Sequence, residues 1–207
     1  AEAAAAMLKG LTAYYLLHNS YRVTSGETVL FHAAAGGVGL IAGQWLAAKG
    51  VTAIGTAGGA EKGTLAKAHG YAHVIDYRSE DFVARVKALA PSGLPAVYDS
   101  VGKDTIPGSL DCLAPFGTLV AFGQSSGPAT DFKISDLARG SLYLQRPTLF
   151  HYAADRGWLE TASEALFSAI ADRTIKLTIT ERPLREVASV HDDLEGRQTT
   201  GSVVLLP

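Results

Sequence analysis

Short apolar runs recur along this chain, and stretches with apolar positions at helical spacing lie between them. Residues 29–32, 52–55, 73–76, 96–99 and 118–122 read as strands. Residues 38–49, 61–69, 81–89 and 105–113 read as helices, the first two closed by Gly50 and Gly70 and the third entered through Ser79. Ahead of this alternation, 2–8 and 12–18 read as two helical pieces separated by Gly10. After it come a flexible loop at 123–128, a strand near 142–144 and an amphipathic helix at 158–170, with Leu159, Ala162, Leu166 and Ile170 on one side. A strand, a helix and a strand follow at 178–180, 184–194 and 202–206.

Short apolar strands alternating with helices predict a parallel sheet covered on both faces. With right-handed crossovers this is a doubly wound α/β fold, a Rossmann fold, ending in a strand–helix–strand extension. The predicted organisation is a helical lead-in at 1–26, a nucleotide-binding domain at 27–177 and a C-terminal segment at 178–207. Ligands of such sheets sit outside the carboxyl ends of the strands.

One turn on that edge carries specific chemistry. In His32-Ala33-Ala34-Ala35-Gly36-Gly37-Val38-Gly39, residues Ala34, Gly36 and Gly39 occupy the three small positions of a dinucleotide-binding fingerprint. Small residues there permit a tight turn, let the backbone reach a pyrophosphate and let the helix sit close on the strand. The helix N-terminus offers free N–H groups and a positive dipole end. Such turns also occur for packing alone. The loop after the second strand refines the reading. NAD-binding domains usually carry an acid there for the ribose 2′-hydroxyl, but Thr56-Ala57-Gly58-Gly59 has none. No carboxylate in that loop repels a 2′-phosphate, and Lys62 follows as either a phosphate ligand or a solvated helix lysine.

Composition excludes several classes. The 207 residues are 47% hydrophobic and 18% charged, which suits a globular chain. A net charge of -2 gives no field for nucleic acid, so no nucleic-acid partner is expected. No run is long enough to span a bilayer, so no membrane role is expected either. The single cysteine, Cys112, precludes an internal disulfide and a multi-cysteine zinc site, in keeping with a cytoplasmic protein. The start, Ala1-Glu2-Ala3-Ala4, reads as the middle of a helix and suggests a segment of a longer protein.

The stretches Leu8-Lys9-Gly10-Leu11-Thr12-Ala13-Tyr14-Tyr15-Leu16-Leu17, Phe31 to Gly39, Val74-Ile75-Asp76-Tyr77, Val97-Tyr98-Asp99-Ser100-Val101-Gly102, Arg146-Pro147-Thr148-Leu149 and Gly196-Arg197-Gln198-Thr199-Thr200-Gly201-Ser202 resemble the quinone oxidoreductase (zeta-crystallin-like) branch of the medium-chain dehydrogenase/reductases. The resemblance runs the length of the chain. It implies zinc-independent, NADPH-dependent reduction of quinones or electron-poor enones. It implies pyrophosphate contacts at Gly36, Gly37 and Val38, and Gly58, Lys62, Tyr77 and Arg197 around the adenosine 2′-phosphate. Phe122, Gly123 and Gln124 would lie along the nicotinamide half, with Thr105, Thr148 and Thr12 as weaker counterparts. It also implies a preceding GroES-like catalytic domain, absent here, and a homodimer paired through the edge strand near 142–144. Members of this branch also serve as structural or RNA-binding proteins, so a cofactor-binding module without turnover is the competing reading.

Catalytic residues are not assigned. Hydride transfer from a nicotinamide needs mainly positioning, because the cofactor carries the hard chemistry. The six histidines show no zinc-ligand spacing with partner cysteines. His32, leading into the fingerprint, reads as a hydrogen-bonded structural residue. Ser100 and Ser125 lack a nucleophile-elbow context. Cys112 reads as inert core.

Overall fold

The structure is a computed structural model that describes residues 1–207. Six strands form one fully parallel sheet: β1 (Thr28–Phe31), β2 (Thr52–Ala57), β3 (His73–Asp76), β4 (Leu94–Asp99), β5 (Leu113–Ala121) and β6 (Tyr143–Gln145). Their order is β3-β2-β1-β4-β5-β6, so the chain reverses its direction of travel between β1 and β4. That switch point is where such sheets open a crevice. The strands are joined by α2 (Gly37–Ala48), α3 (Ala60–Ala68), α4 (Phe82–Leu89) and α5 (Ile106–Asp111).

Period-two alternation divides the core between the two faces. Val29 and Phe31 of β1, Ala53 of β2 and Ala96 and Tyr98 of β4 join a cluster of 23 buried residues. That cluster also takes in α1 (Glu2–Tyr15), α2 and α7 (Arg156–Ala171). Leu30, Ile54 and Val97 point the other way, into a cluster of 10 that α4 and α5 cover. The lead-in helix therefore shares the larger core: Ala6, Ala13 and Tyr15 are all buried in it.

Four local expectations are revised. Gly10 does not break the lead-in, because α1 runs unbroken from Glu2 to Tyr15. A Cβ at Gly10 would stand 2.5 Å from the Leu166 methyls, so glycine here sets the close crossing of α1 and α7. Close packing outweighs a helix-propensity cost of about 1 kcal/mol. The helix then widens into one π-turn, Leu16–Ser20, with Tyr21 N–H donating to Leu16 O. Asp81 rather than Ser79 caps α4, accepting from the N–H groups of Val83 and Ala84. The fifth helix ends at Asp111 and β5 begins at Leu113. Two short elements, a 3₁₀ turn at Ile134–Arg139 and α6 (Leu149–Ala153), went unread.

The C-terminal residues form β7 (Ile179–Pro183), α8 (Val187–Glu195) and β8 (Ser202–Leu206), with β7 and β8 paired in parallel as a separate sheet. This unit is tied to the fingerprint turn. Gly201 N–H donates to Ala35 O, and Gly36 and Gly201 form an isolated parallel bridge. No helix is long and apolar enough to cross a membrane.

Candidate functional site

The same alternation that splits the core lays a polar row at the carboxyl ends of three adjacent strands. Thr56 is the penultimate residue of β2, His32 follows β1 and Asp99 ends β4. Each falls on the face of Ile54, Leu30 and Val97, towards α4 and α5. All three are buried and fully partnered. Ser109 Oγ donates to Asp99 Oδ2 at 2.8 Å. It is then free to accept from His32 Nε2 at 3.0 Å, which leaves Nδ1 to accept from Thr56 Oγ1 at 2.9 Å. Direction along the chain is set by the carboxylate, which only accepts. His32 is neutral in this arrangement. Burial pushes its pKa down, and the nearby Asp99 only partly opposes that.

Asp99 also shapes the next loop. Its Oδ1 accepts from the N–H groups of Val101 at 2.8 Å and Gly102 at 3.0 Å and from Thr105 Oγ1 at 2.9 Å. Thr105 therefore reaches the cleft with its proton committed and only oxygen lone pairs to offer. His32, as expected, is a hydrogen-bonded buried residue that holds this edge together.

Above the row lies a cleft of about 370 Å³. Gly36, Gly58, Lys62, Tyr77, Thr105 and Arg197 all line it, so five separate chain segments supply its predicted contacts. Gly37 and Val38 form the first turn of α2 at its edge, where no side chain caps the helix. The N–H groups of Val38 and Gly39 have no intrahelical acceptor and no bond elsewhere, while Gly37 lies against Gly201 O across the bridge. Gly39 is required for this closeness: a Cβ there would stand 2.5 Å from Ala33 O and 2.6 Å from Ala34 O. Ala33 holds a left-handed φ of 54° to make the turn.

The far end of the cleft is cationic. Lys62 donates to the backbone O of Arg197. Burial, with Arg78 nearby, pulls its pKa below the ordinary lysine value, and Glu61 opposes the shift. Sequence reasoning missed Arg78. A Cβ on Gly58 would stand 2.6 Å from Tyr77 Oη and 3.0 Å from Arg78 Nε, so both side chains close over that glycine. The available signal was that Arg78 follows Tyr77 on the same strand end. Lys62, Arg78 and Arg197 form no salt bridges. An acid does approach this loop from the neighbouring strand. Asp76 Oδ1 accepts from Gly59 N–H and Arg78 N–H, both at 3.0 Å, which holds its pKa below the carboxylate range.

Arg197 stands in an unusual place. The end of α8 is a Schellman turn: Gln198 N–H donates to Asp193 O, and Arg197 N–H to Leu194 O. The left-handed position of that motif normally holds glycine, and here Arg197 occupies it with φ 55°. Gly196, one residue earlier, remains right-handed.

Of the residues predicted on the nicotinamide side, Thr105 lines this cleft and the others do not. Gly123 and Gln124 line a neighbouring hollow of about 210 Å³ with Leu144 and Arg146. Phe122 packs on Phe31 with ring centres 5.6 Å apart, and Thr148 sits at the start of α6 without a side-chain capping bond. Thr12 is buried and donates back to Leu8 O at 2.6 Å. Among the residues not anticipated, Phe82 sets its ring edge-on to His32 at 5.1 Å, and Thr199 and Ser125 line the cleft. No group of three or more His, Cys, Asp or Glu side chains is gathered to hold a metal. Cys112 is buried, and its thiol is pushed up to about 12.

The family described as zinc-binding dehydrogenase matches residues 37–164, from the first residue of α2 into α7. The chain belongs to that family. It is 51% identical over its full length to a quinone oxidoreductase of Pseudomonas aeruginosa and covers 64% of that protein. It is 44% identical to a 2-haloacrylate reductase of a Burkholderia species, with 97% of this chain and 62% of that one aligned. The structure of Escherichia coli quinone oxidoreductase complexed with NADPH superposes with a TM-score of 0.97 at 47% identity, covering all of this chain and 65% of that one. The chain thus spans just under two thirds of the relatives it matches. The parallel six-stranded α/β architecture is the one these reductases share.

Proposed function

We propose that this chain is the NADPH-holding part of an oxidoreductase that passes hydride to a quinone or a related electron-poor enone. The carrying observation is one cleft with two different anion-binding ends. At one end, the free N–H groups of Val38 and Gly39 open α2. At the other, Lys62, Arg78 and Arg197 gather around Gly58 without salt-bridging carboxylates. The first suits a pyrophosphate and the second a further phosphate on the adenosine. Asp76 turns its Oδ1 to the backbone N–H groups of Gly59 and Arg78. The NADPH complex of the E. coli relative supports the same reading.

When bound, NADPH supplies the hydride. The chain's own residues do the positioning. The α2 N-terminus fixes the pyrophosphate, and Gly58 lets the Tyr77 and Arg78 side chains close down at the ribose end. The Asp99 network fixes the loop at 100–105 that closes the other wall. Gly123 and Gln124, beyond the cleft, stand towards the nicotinamide half. This chain brings no metal-ligand cluster to the reaction. The outer edge of β6 has no strand partner and exposes Tyr143, 61% accessible, so a homodimer forms there by joining two sheets. Sedimentation shows a dimer if this is right.

Titrating NADPH and NADH onto the protein, followed by nicotinamide fluorescence, tests the cofactor assignment. NADPH binds at least about tenfold tighter if the cations take a phosphate. Equal or tighter NADH binding overturns it. Turnover of quinones, enones and haloalkenoates by the full-length protein tests the acceptor class.

A further inference from the structure

The loop after β4 gives the cleft a wall unlike its two anion-binding ends. It contributes Val101, Asp104 and Thr105, and Phe82, the first residue of α4, lines the cleft with them. Apart from three alanines, Tyr77, Phe82 and Val101 are the apolar side chains of the cleft. The loop is tied down by its backbone: Lys103 N–H donates to Gly127 O at 3.0 Å and Asp104 N–H to Ser126 Oγ at 3.1 Å. Lys103 itself lines a separate hollow, and the Asp104 carboxylate forms no salt bridge.

The polar side chains of this wall can only accept hydrogen bonds. Thr105 Oγ1 gives its proton to Asp99 Oδ1 at 2.9 Å, with Gly102 O as the longer alternative at 3.3 Å, and Asp104 offers a carboxylate. Ionised phosphates also only accept, and Asp104 repels them. The wall therefore suits an N–H or O–H donor carried on a flat body with apolar faces. In an adenosine 2′-phosphate held by Lys62 and Arg197, C1′ adjoins the carbon that bears the phosphate, so the base lies beside that end of the cleft. The 3′-hydroxyl stays with the ribose at Gly58. The 6-amino group is then the donor left for the wall, and the ring faces meet Phe82 and Val101.

We propose that Asp104 and Thr105 read the base of the dinucleotide: the Asp104 carboxylate and Thr105 Oγ1 accept the two N–H groups of an adenine 6-amine and so select adenine over a 6-oxo purine. This rests on the dinucleotide reading above. It moves Thr105 from the nicotinamide half to the adenine half, and it gives the Asp99 network a part in specificity, because that network fixes which way the Thr105 hydroxyl points its proton.

Binding of NADPH and of its hypoxanthine analogue, which carries a 6-oxo group in place of the amine, is measured by calorimetry. The proteins compared are the unsubstituted chain, Asp104→Asn and Thr105→Val, with folding checked by circular dichroism. The unsubstituted chain should bind the analogue about tenfold more weakly, because a carbonyl oxygen then faces acceptors. Asp104→Asn offers N–H donors to that oxygen, so the preference for adenine falls by about threefold or more. Loss of the charge alone would strengthen both nucleotides together and leave their ratio fixed. Thr105→Val removes the other acceptor with little change in side-chain volume, and the ratio falls there too. Equal binding of the two nucleotides by the unsubstituted chain overturns the proposal and leaves the cofactor reading standing. An adenine preference that neither folded variant moves also overturns it. If the unsubstituted chain binds neither nucleotide, the cofactor reading itself falls and this assignment falls with it.

Discussion

The two ends of the cleft are built in opposite ways. The fingerprint end is buried and closely packed. His32, Thr56, Ser109 and Asp99 are all nearly inaccessible, and each polar side chain has its partner. The cationic end is exposed, assembled from the starts or ends of α3, β3 and α8, and held largely by backbone contacts. The first end belongs to the fold: without it β1, β4 and α2 do not meet. The second is attached to a finished fold. Substitutions at the first end should therefore change stability, and those at the second should change which nucleotide is held.

Gly39→Val is the harshest break at the fingerprint end. Its branched side chain meets two backbone carbonyls at a Cβ position already 2.5 Å from Ala33 O, and neither carbonyl is free to rotate away. A loss of about 3 kcal/mol or more is expected, read as a lowered midpoint in urea. His32→Ala follows. It leaves Thr56 and Ser109 each short of a partner and opens a hollow beside Phe82, for a cost of about 2–4 kcal/mol. The histidine adds a pH signature. Its folded pKa is depressed below the unfolded 6.5, so both states are neutral above that pH and no penalty exists there. As pH falls below 6.5 the unfolded chain takes up a proton that the folded chain refuses, and stability declines. His32→Gln flattens that part of the stability–pH curve. An unchanged slope would show that other groups set it.

At the other end, Lys62→Glu, at a half-buried rim position outside the core, should change stability by no more than about 0.5 kcal/mol. It replaces an attraction with a repulsion, so NADPH affinity falls by about 1–3 kcal/mol while NADH is spared. An equal loss for both nucleotides would mean that Lys62 acts on the shared part of the molecule, and the contrast between the two ends would fail.

The difference in construction also explains what was readable from the residues alone. The fingerprint end is local: strand, turn and helix lie within fourteen consecutive residues, and each physical requirement falls on a neighbouring position. Alternation in β1, β2 and β4 was legible too, although the polar row it creates was not. That row needs the strand order β2-β1-β4, and period two says nothing about which strands become neighbours. Lys62 was ambiguous for the same reason, since its meaning depends on Arg197, 135 positions away. Only likeness to a known family joined the two. Arg78 was passed over because one exposed arginine after a strand has no periodic signature. Gly10 misled because its close neighbour, Leu166, lies far along the chain. A glycine in a helical pattern reads as an interruption until the helix that needs the space is known.

Arg197→Gly is expected to shift stability in the opposite direction from the fingerprint-end changes and gives the sharpest separation of the two ends. Arg197 sits where a Schellman turn normally places glycine, with φ 55° and both turn hydrogen bonds formed. An L side chain in that conformation costs about 1–2 kcal/mol. Glycine removes that strain but gives the unfolded chain more freedom, which returns about 0.4–1 kcal/mol of the gain. The expected net effect is a stabilisation of up to about 1 kcal/mol, visible as a small rise in melting temperature. The same change removes a guanidinium from the cleft and should weaken NADPH. Arg197→Lys separates the two causes: it keeps the strained backbone and a charge, so stability stays put while NADPH binding is largely retained. If Arg197→Gly stabilises the fold and leaves NADPH affinity unchanged, the strained arginine has no part in holding the nucleotide. A gain in stability together with a loss of affinity would show strain retained at the rim because the side chain is needed there.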